Sequence, residues 1–196
     1  MNPIKPPTIK TIGHSNHPIE RFVDLLKAGG VEAVVDVRST PYSRRFPQFG
    51  RERLAQSLAA AGILYRYEGA ALGGKPNPGK SGGGGSYDEL AARPEFTDAL
   101  GRLIAGAADA TLCLMCAEKE PLDCHRTVLV SRRLAERGVA IEHLLADGRR
   151  EPHAAIEERL LASDERGAPD LFTTAEDRAA RLARAYGLRE RVLKRA

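Results

Sequence analysis

"IKTIGHSNHPIERFVDLLKAGGVEAVVDVRS", residues 9–39, sets two apolar runs around one amphipathic segment, and its reading decides the fold. Residues 9–13 are short and rich in β-branched side chains, which suits a strand. Ile19, Phe22, Val23, Leu25 and Leu26 then recur at helical spacing, and Gly29-Gly30 supply a C-terminal stop. Residues 31–39 are again β-branched and mostly apolar, as in a strand buried on both faces. Strand, helix and buried strand in that order make a parallel unit with a crossover helix.

The alternation continues outward from this unit. "RERLAQSLAAAGI" (51–63) reads as a helix, "ILYRYEG" (63–69) as a strand, and "SYDELAARPEFTDALGRLIAGA" (86–107) as helical with a break near Pro94. "ATLCLMCA" (110–117) is a fourth strand, "DCHRTVLVSRRLAERG" (123–138) a helix, and "VAIEHLL" (139–145) a fifth strand. After residue 150 the composition turns to Ala, Arg and Glu in "HAAIEERLLA" (153–162) and "TAEDRAARLARAYGLRERVLKR" (174–195). The expectation is one three-layer α/β domain over 1–150, with a mainly parallel sheet of about five strands. A helical C-terminal extension is expected over 151–196.

The bulk properties fit that organisation. The chain has 196 residues, which suits one domain of roughly 150 plus an appendage. No apolar run reaches the roughly 18 residues of a membrane span, and "MNPIKPPTIK" has no signal-peptide core. The three cysteines, Cys113, Cys116 and Cys124, are odd in number and close together, which points to reduced thiols and a cytoplasmic setting. No cofactor and no membrane contact are expected.

Residues 74–81, Gly-Lys-Pro-Asn-Pro-Gly-Lys-Ser, fit the pattern of a nucleotide-hydrolase phosphate loop. Their setting argues against that role. The preceding strand ends several residues earlier, and the four glycines 82–85 each weaken a following helix by about 1 kcal/mol. Pro76 and Pro78 also remove backbone donors. The stretch reads as a loop, with Lys75 and Lys80 adding charge.

Polar residues gather where the strands end, the edge at which open parallel sheets bind ligands. Strand one ends in Gly13-His14-Ser15-Asn16, strand two in Asp36-Val37-Arg38, and strand three in Glu68. Strand four ends in Cys116-Ala117-Glu118-Lys119, followed by Cys124-His125-Arg126 at a helix start. Each has a purely structural reading: His14 or Asn16 as a helix cap, Asp36 in an ion pair with Arg38 or Arg126, Cys116 as a small core residue. Their coincidence at one edge favours a site.

The blocks "TIGHSNHPIERFVDLL", "VVDVRSTPYSRRFPQF", "GILYRYEGAALGG" and "LMCAEKEPLDCHRTVLVSRRLAERG" resemble those of the domain-of-unknown-function 488 family over about residues 8–146. The Cys-Ala-Glu-Lys-x-Pro-x-x-Cys-His-Arg block is the specific part. The resemblance implies a compact α/β domain with a shared polar site and no established reaction, and the Gly-rich insert departs from the compact pattern.

Three chemistries compete for this cluster. In the first, Arg38 and Arg126 hold a phosphate, His14 or His125 is the general acid or base, and Asp36 or Glu118 orients it. Ser15, Asn16, Arg44, Arg45 and Lys119 complete the binding set, and the partner is a small anionic ligand or nucleic acid. The second is thiol or sulfur-transfer chemistry at Cys116 or Cys124. The outline is similar to sulfurtransferases and cysteine phosphatases, but their Cys-x5-Arg loop is absent: Leu122 stands six positions after Cys116, and His125-Arg126 follow Cys124 directly. The third is a zinc set of Cys116, Cys124, His125 and His14, whose Cys-x7-Cys-His spacing departs from Cys-x2-Cys. The first reading leads, with no metal assigned, and whether the site is catalytic stays open.

Two segments bear on partners. Between residues 37 and 53, Arg38, Arg44, Arg45, Arg51 and Arg53 face Glu52 alone, interleaved with Tyr42, Phe46 and Phe49. Such a stretch either stacks bases and meets phosphates or anchors its aromatics in the core. In "APDLF" (168–172), Asp170, Leu171 and Phe172 resemble the bacterial sliding-clamp-binding peptide, without its leading Gln and with Pro169 in place of Leu. The alternative is that Leu171 and Phe172 tuck the extension onto the domain.

Overall fold

A computed structural model describes residues 7–75, 85–163 and 175–195. The strands are β1 (Thr8–Gly13), β2 (Ala33–Asp36), β3 (Leu64–Tyr67), β4 (Leu112–Cys116), β5 (Ala140–Leu144) and β6 (Arg150–Pro152). They form one sheet in the order β3-β2-β4-β1-β5-β6. All neighbours run parallel except β5 and β6. The sheet therefore has the mainly parallel α/β character expected, with a sixth strand at its edge. That strand is three residues long, Arg-Glu-Pro, and exposed at both ends, so it carries no apolar run by which it could be read.

The helices are α1 (Ile19–Ala28), α2 (Arg51–Ala60), α3 (Gly69–Leu72), α4 (Tyr87–Ala91), α5 (Pro94–Asp109), α6 (Arg132–Ala135), α7 (His153–Ala162) and α8 (Ala175–Arg195). Pro94 opens α5, and Ser86 with Glu89 forms a capping box on α4, which accounts for the break in that helical stretch. Strand alternation then divides the core. Ile12, Val34, Cys113 and Met115 face Phe22, Leu26, Leu54 and Leu58 of α1 and α2. Val35, Leu114, Cys116 and Ile141 face Phe96, Leu100 and Leu103 of α5, Leu160 of α7 and Tyr186 of α8. The C-terminal helices thus share a core with one face of the sheet.

β4, buried at all five positions, sits between β2 and β1. Its register aligns Cys116 with Gly13 and Met115 with Asp36. Three strand ends consequently open onto one place, and backbone bonds extend the match: His14 N–H donates to Cys116 O (2.8 Å) and Ser15 N–H to Ala117 O (2.9 Å).

Candidate functional site

Beyond the sheet's carboxyl edge lies a cavity of about 1120 Å³. That is at or above the upper end of the roughly 300–1,000 Å³ usual for ligand pockets, so a nucleotide-sized molecule fits. Of the residues expected at the site, His14, Ser15, Asn16, Arg38, Arg45, Glu118, Lys119 and His125 line it, together with Cys116. Asp36, Cys124 and Arg126 are buried behind its wall, and Arg44 is exposed outside it. Glu68, at the end of β3, instead pairs with Arg66 and Arg102.

The β1 turn presents His14. Ser15 takes φ 49°, a left-handed conformation few non-glycine residues adopt. Gly13 packs so closely under the Glu118 carbonyl that a Cβ there would overlap it. His14 stacks on the buried Phe49 ring at 4.2 Å, so Phe49 anchors its loop in the core. Neither His14 nor Asn16 caps α1, whose first turn follows Pro18 without a side-chain cap. His14 Nδ1 lies 2.9 Å from Ser15 O, and Nε2 lies 3.3 Å from Arg38 Nη1. A carbonyl only accepts and a guanidinium only donates, so Nδ1 carries the proton and Nε2 the lone pair. Burial, with Arg38 beside it, brings the His14 pKa down to about 4.

β2 presents Arg38 through Asp36. The fully buried Asp36 carboxylate accepts from Arg38 Nε (2.9 Å), Nη2 (2.6 Å) and backbone N–H (3.1 Å), and from the Tyr65 hydroxyl (2.8 Å). With its oxygens so occupied, Asp36 orients Arg38. One N–H on each of Nη1 and Nη2 is left over for the cavity, by the five-donor count of a guanidinium. No motif in the sequence marks Tyr65 as part of this group. The alternation of β3 carries its signal, since Tyr65 and Tyr67 share a face and Tyr67 is in register with Asp36.

β4 and the turn after it present sulfur. Pro121–Asp123 form a 3₁₀ turn that folds the chain back, so Cys124 returns to Cys116. Both thiols donate to one oxygen, Glu118 Oε2, at 3.1 Å from Cys116 and 3.0 Å from Cys124. His125 Nδ1 lies 3.6 Å from Cys116 Sγ and 4.0 Å from Cys124 Sγ. His125 Nε2 donates to Val37 O at 2.9 Å. The Arg126 guanidinium, 1% exposed, donates to the carbonyls of Glu118 (2.7 Å) and Lys119 (3.3 Å), clamping the turn. Its Nε is buried without a partner. Arg126 begins a π-helical segment, Arg126–Ser131, buried throughout. Such widened turns recur at functional sites.

The electrostatics of this corner are divided. Burial, and Cys124 beside it, push the Cys116 thiol well up. Burial also opposes ionisation of Cys124, but a hydrogen bond from the Cys116 thiol and the Arg126 charge outweigh it and bring Cys124 well down. Burial opposes the His125 cation, and Cys124 outweighs that too, raising its pKa. Glu118 is open to the cavity yet crowded by protein atoms, and that crowding, with Cys124, raises its carboxyl.

The wall also takes Tyr42 from the Arg- and aromatic-rich stretch and Lys75 from the Gly-rich loop, together with residues that no sequence pattern groups: Ser39, Thr40 and, from the far end of α8, Leu193 and Lys194. Lys194 is held by Glu190 (2.6 Å), by Gly85 O (2.6 Å) and over the Tyr87 ring (5.0 Å). Interactions across more than a hundred positions leave no local signature. Lys80 and the Asp170-Leu171-Phe172 stretch lie outside the described residues. Among the described residues, no helix is long and apolar enough to cross a membrane.

A family model described as domain of unknown function DUF488 matches residues 18–133, over half of the chain and including all of the Cys-Ala-Glu-Lys to Cys-His-Arg block. No curated protein and no solved structure matches the chain.

Proposed function

The chain belongs to the DUF488 family, whose description assigns no reaction, and we propose from the pocket itself that it binds and acts on a phosphate-bearing substrate. One observation carries this reading. The cavity wall gathers Arg38, Arg45, Lys75, Lys119 and Lys194 against Glu118 and Asp123. Arg38 is the anchor, because Asp36 fixes its planar fork while the side chain lines the cavity with donors to spare, an arrangement suited to a phosphate. His14, neutral and with its lone pair on Nε2, is placed to exchange a proton with a substrate that displaces Arg38 Nη1 from it.

Nucleic acid is the second reading, and Tyr42 favours it. Its ring is 66% exposed on the cavity rim, next to Arg44 and Arg45, so a base can stack there while phosphates meet the arginines.

Titrating the whole chain at low ionic strength with inorganic phosphate, nucleotides and short oligonucleotides, with a neutral nucleoside as control, tests both. Phosphate-bearing probes are expected to raise Tm, by an amount corresponding to about 2.7 kcal/mol at a hundred times Kd. The nucleoside is expected to do nothing. If no phosphate-bearing probe shifts Tm, the reading fails.

A further inference from the structure

We infer that Cys116, Cys124, His125 and Glu118 form a tetrahedral site for a zinc-type divalent cation on the wall of the cavity. This goes beyond the phosphate reading and does not depend on it.

The geometry is the first support. The two Sγ atoms and His125 Nδ1 all lie within 4.8 Å of one another. With Zn–S near 2.3 Å and Zn–N near 2.0–2.1 Å, a tetrahedral site has ligand-to-ligand edges of about 3.5–3.8 Å. The edges from Nδ1 to the two sulfurs are 3.6 and 4.0 Å, and those from Glu118 Oε2 are 3.1 and 3.0 Å. The three Cys and His donors lie close enough to share one ion, and Glu118 Oε2, in contact with both sulfurs, is placed to serve as the fourth. Thiolate and imidazole donors select zinc over magnesium or calcium.

The surroundings are the second support. His125 donates Nε2–H to the Val37 carbonyl, the outer bond that metal-bound histidines habitually make, and this turns Nδ1 toward the sulfurs. Arg126 donates its backbone N–H to Cys124 Sγ at 3.4 Å. Its buried guanidinium meets only carbonyl oxygens of Glu118 and Lys119. Two thiolates, one carboxylate and a divalent cation sum to one negative charge, which Arg126 neutralises. Binding releases to solvent the protons that Cys116, Cys124 and His125 hold on their donor atoms and changes no oxidation state. Cys116, Glu118 and His125 line the cavity while Cys124 lies behind them, so the ion faces the open space and Glu118 is the ligand an incoming molecule can displace.

His14, the fourth ligand that the sequence offered, is committed instead to Arg38 and Ser15. Glu118 takes that place because it stands two residues beyond Cys116 and the 3₁₀ turn brings Cys124 back beside it, so that one carboxylate oxygen meets both sulfurs.

The test is cobalt(II) titration of the reduced, metal-stripped whole chain, followed by absorbance. The expected result is one Co²⁺ per chain with a near-ultraviolet thiolate-to-cobalt band and tetrahedral visible bands, all lost on adding Zn²⁺. Cys116→Ser and Cys124→Ser should each weaken the thiolate band, and Cys113→Ser, whose sulfur faces the opposite core, should leave it intact. Should those variants fail to fold, the wild-type spectrum still decides. No thiolate band, only weak octahedral absorption, or a band that survives both substitutions overturns the site.

Discussion

Two buried polar clusters share this molecule, and only one of them is complete. Behind the sheet, Thr11, His143, His153, Tyr186 and Glu157 form a hydrogen-bonded chain linking β1, β5, α7 and α8. Its direction is set from one end. Glu157 accepts from the Tyr186 hydroxyl, so Tyr186 accepts from His153 Nε2–H, His153 Nδ1 accepts from His143 Nε2–H, and His143 Nδ1 accepts from Thr11. Every donor has an acceptor with both rings neutral, and none of these residues lines the cavity. The cavity cluster differs on each count. Two thiols share one carboxylate oxygen, Arg126 Nε has no partner, and several of its members face open space. A closed network fastens the C-terminal helices to the sheet, while the open one has donors and charge to spare for a ligand.

The largest expected effect falls on the one strong ion pair of the open cluster. Asp36→Ala leaves Arg38, 5% exposed, without its carboxylate, and the Tyr65 hydroxyl without its acceptor. Breaking one partner of a buried pair costs about 3–5 kcal/mol, which urea unfolding measures. A loss below about 1 kcal/mol would mean that Arg38 simply turns into the cavity, and that the carboxylate does not position it.

The closed chain should instead be sensitive to acid. Burial brings His153 down to about 4 and His143 well below the ordinary histidine value. The unfolded chain therefore binds more protons than the fold between about pH 6.5 and about pH 4. The contribution is full above pH 6.5, falls through that window as pH drops, and is gone near the folded pKa. For His153 it amounts to roughly 3 kcal/mol. Unfolding of wild type and His153→Gln at several pH values checks this: the gap between them should narrow as pH falls from 6.5 to 4. A constant gap would show that the ring does not titrate out of a neutral, buried state.

A smaller cost is expected at the chain's far end. Tyr186→Phe removes the hydroxyl that joins His153 to Glu157 and leaves a buried N–H unpaired, for about 1–3 kcal/mol. Because the closed chain does not reach the cavity, phosphate affinity should be unchanged in titrations below the variant's Tm. Weaker affinity at unchanged fold would join the two clusters and break the contrast between them.

The two clusters also differ in how far the sequence discloses them. His14, Asp36, Arg38, Cys116 and Glu118 are legible because each follows directly on an apolar strand, and parallel strands end at one edge. Cys124 and His125 are legible from the same compact block. The closed chain is not, because its histidines lie ten positions apart and Tyr186 a further 33 along, on helices whose docking no local pattern encodes. The fold follows the same rule. β1, β2, β4 and β5 appear as apolar runs, whereas β6 and the π-helical turn arise from tertiary packing. Strand two is expected over 31–39 and observed over 33–36, because Val37 and Arg38 stay buried beyond the last ladder pair.

The smallest effect separates two arginines that the sequence treats alike. Arg44 and Arg45 are adjacent and both exposed, but only Arg45 lines the cavity, with its guanidinium 5.4 Å from the Phe46 ring. Exposed charge pairs are worth about 0.2–1 kcal/mol, so Arg45→Ala should weaken phosphate binding by no more than about fivefold. If the ligand is a small phosphate ester held inside the cavity, Arg44→Ala should change nothing. A nucleic-acid strand crossing the rim at Tyr42 would meet both side chains. The double substitution would then lower the slope of log affinity against log salt by up to about 2, one for each phosphate that is no longer neutralised. Calorimetric titration of the two single variants with a mononucleotide, beside a salt series with an oligonucleotide, reads both outcomes. Equal weakening by Arg44→Ala and Arg45→Ala toward the mononucleotide would place the anion on the open surface, and the cavity would no longer be its site.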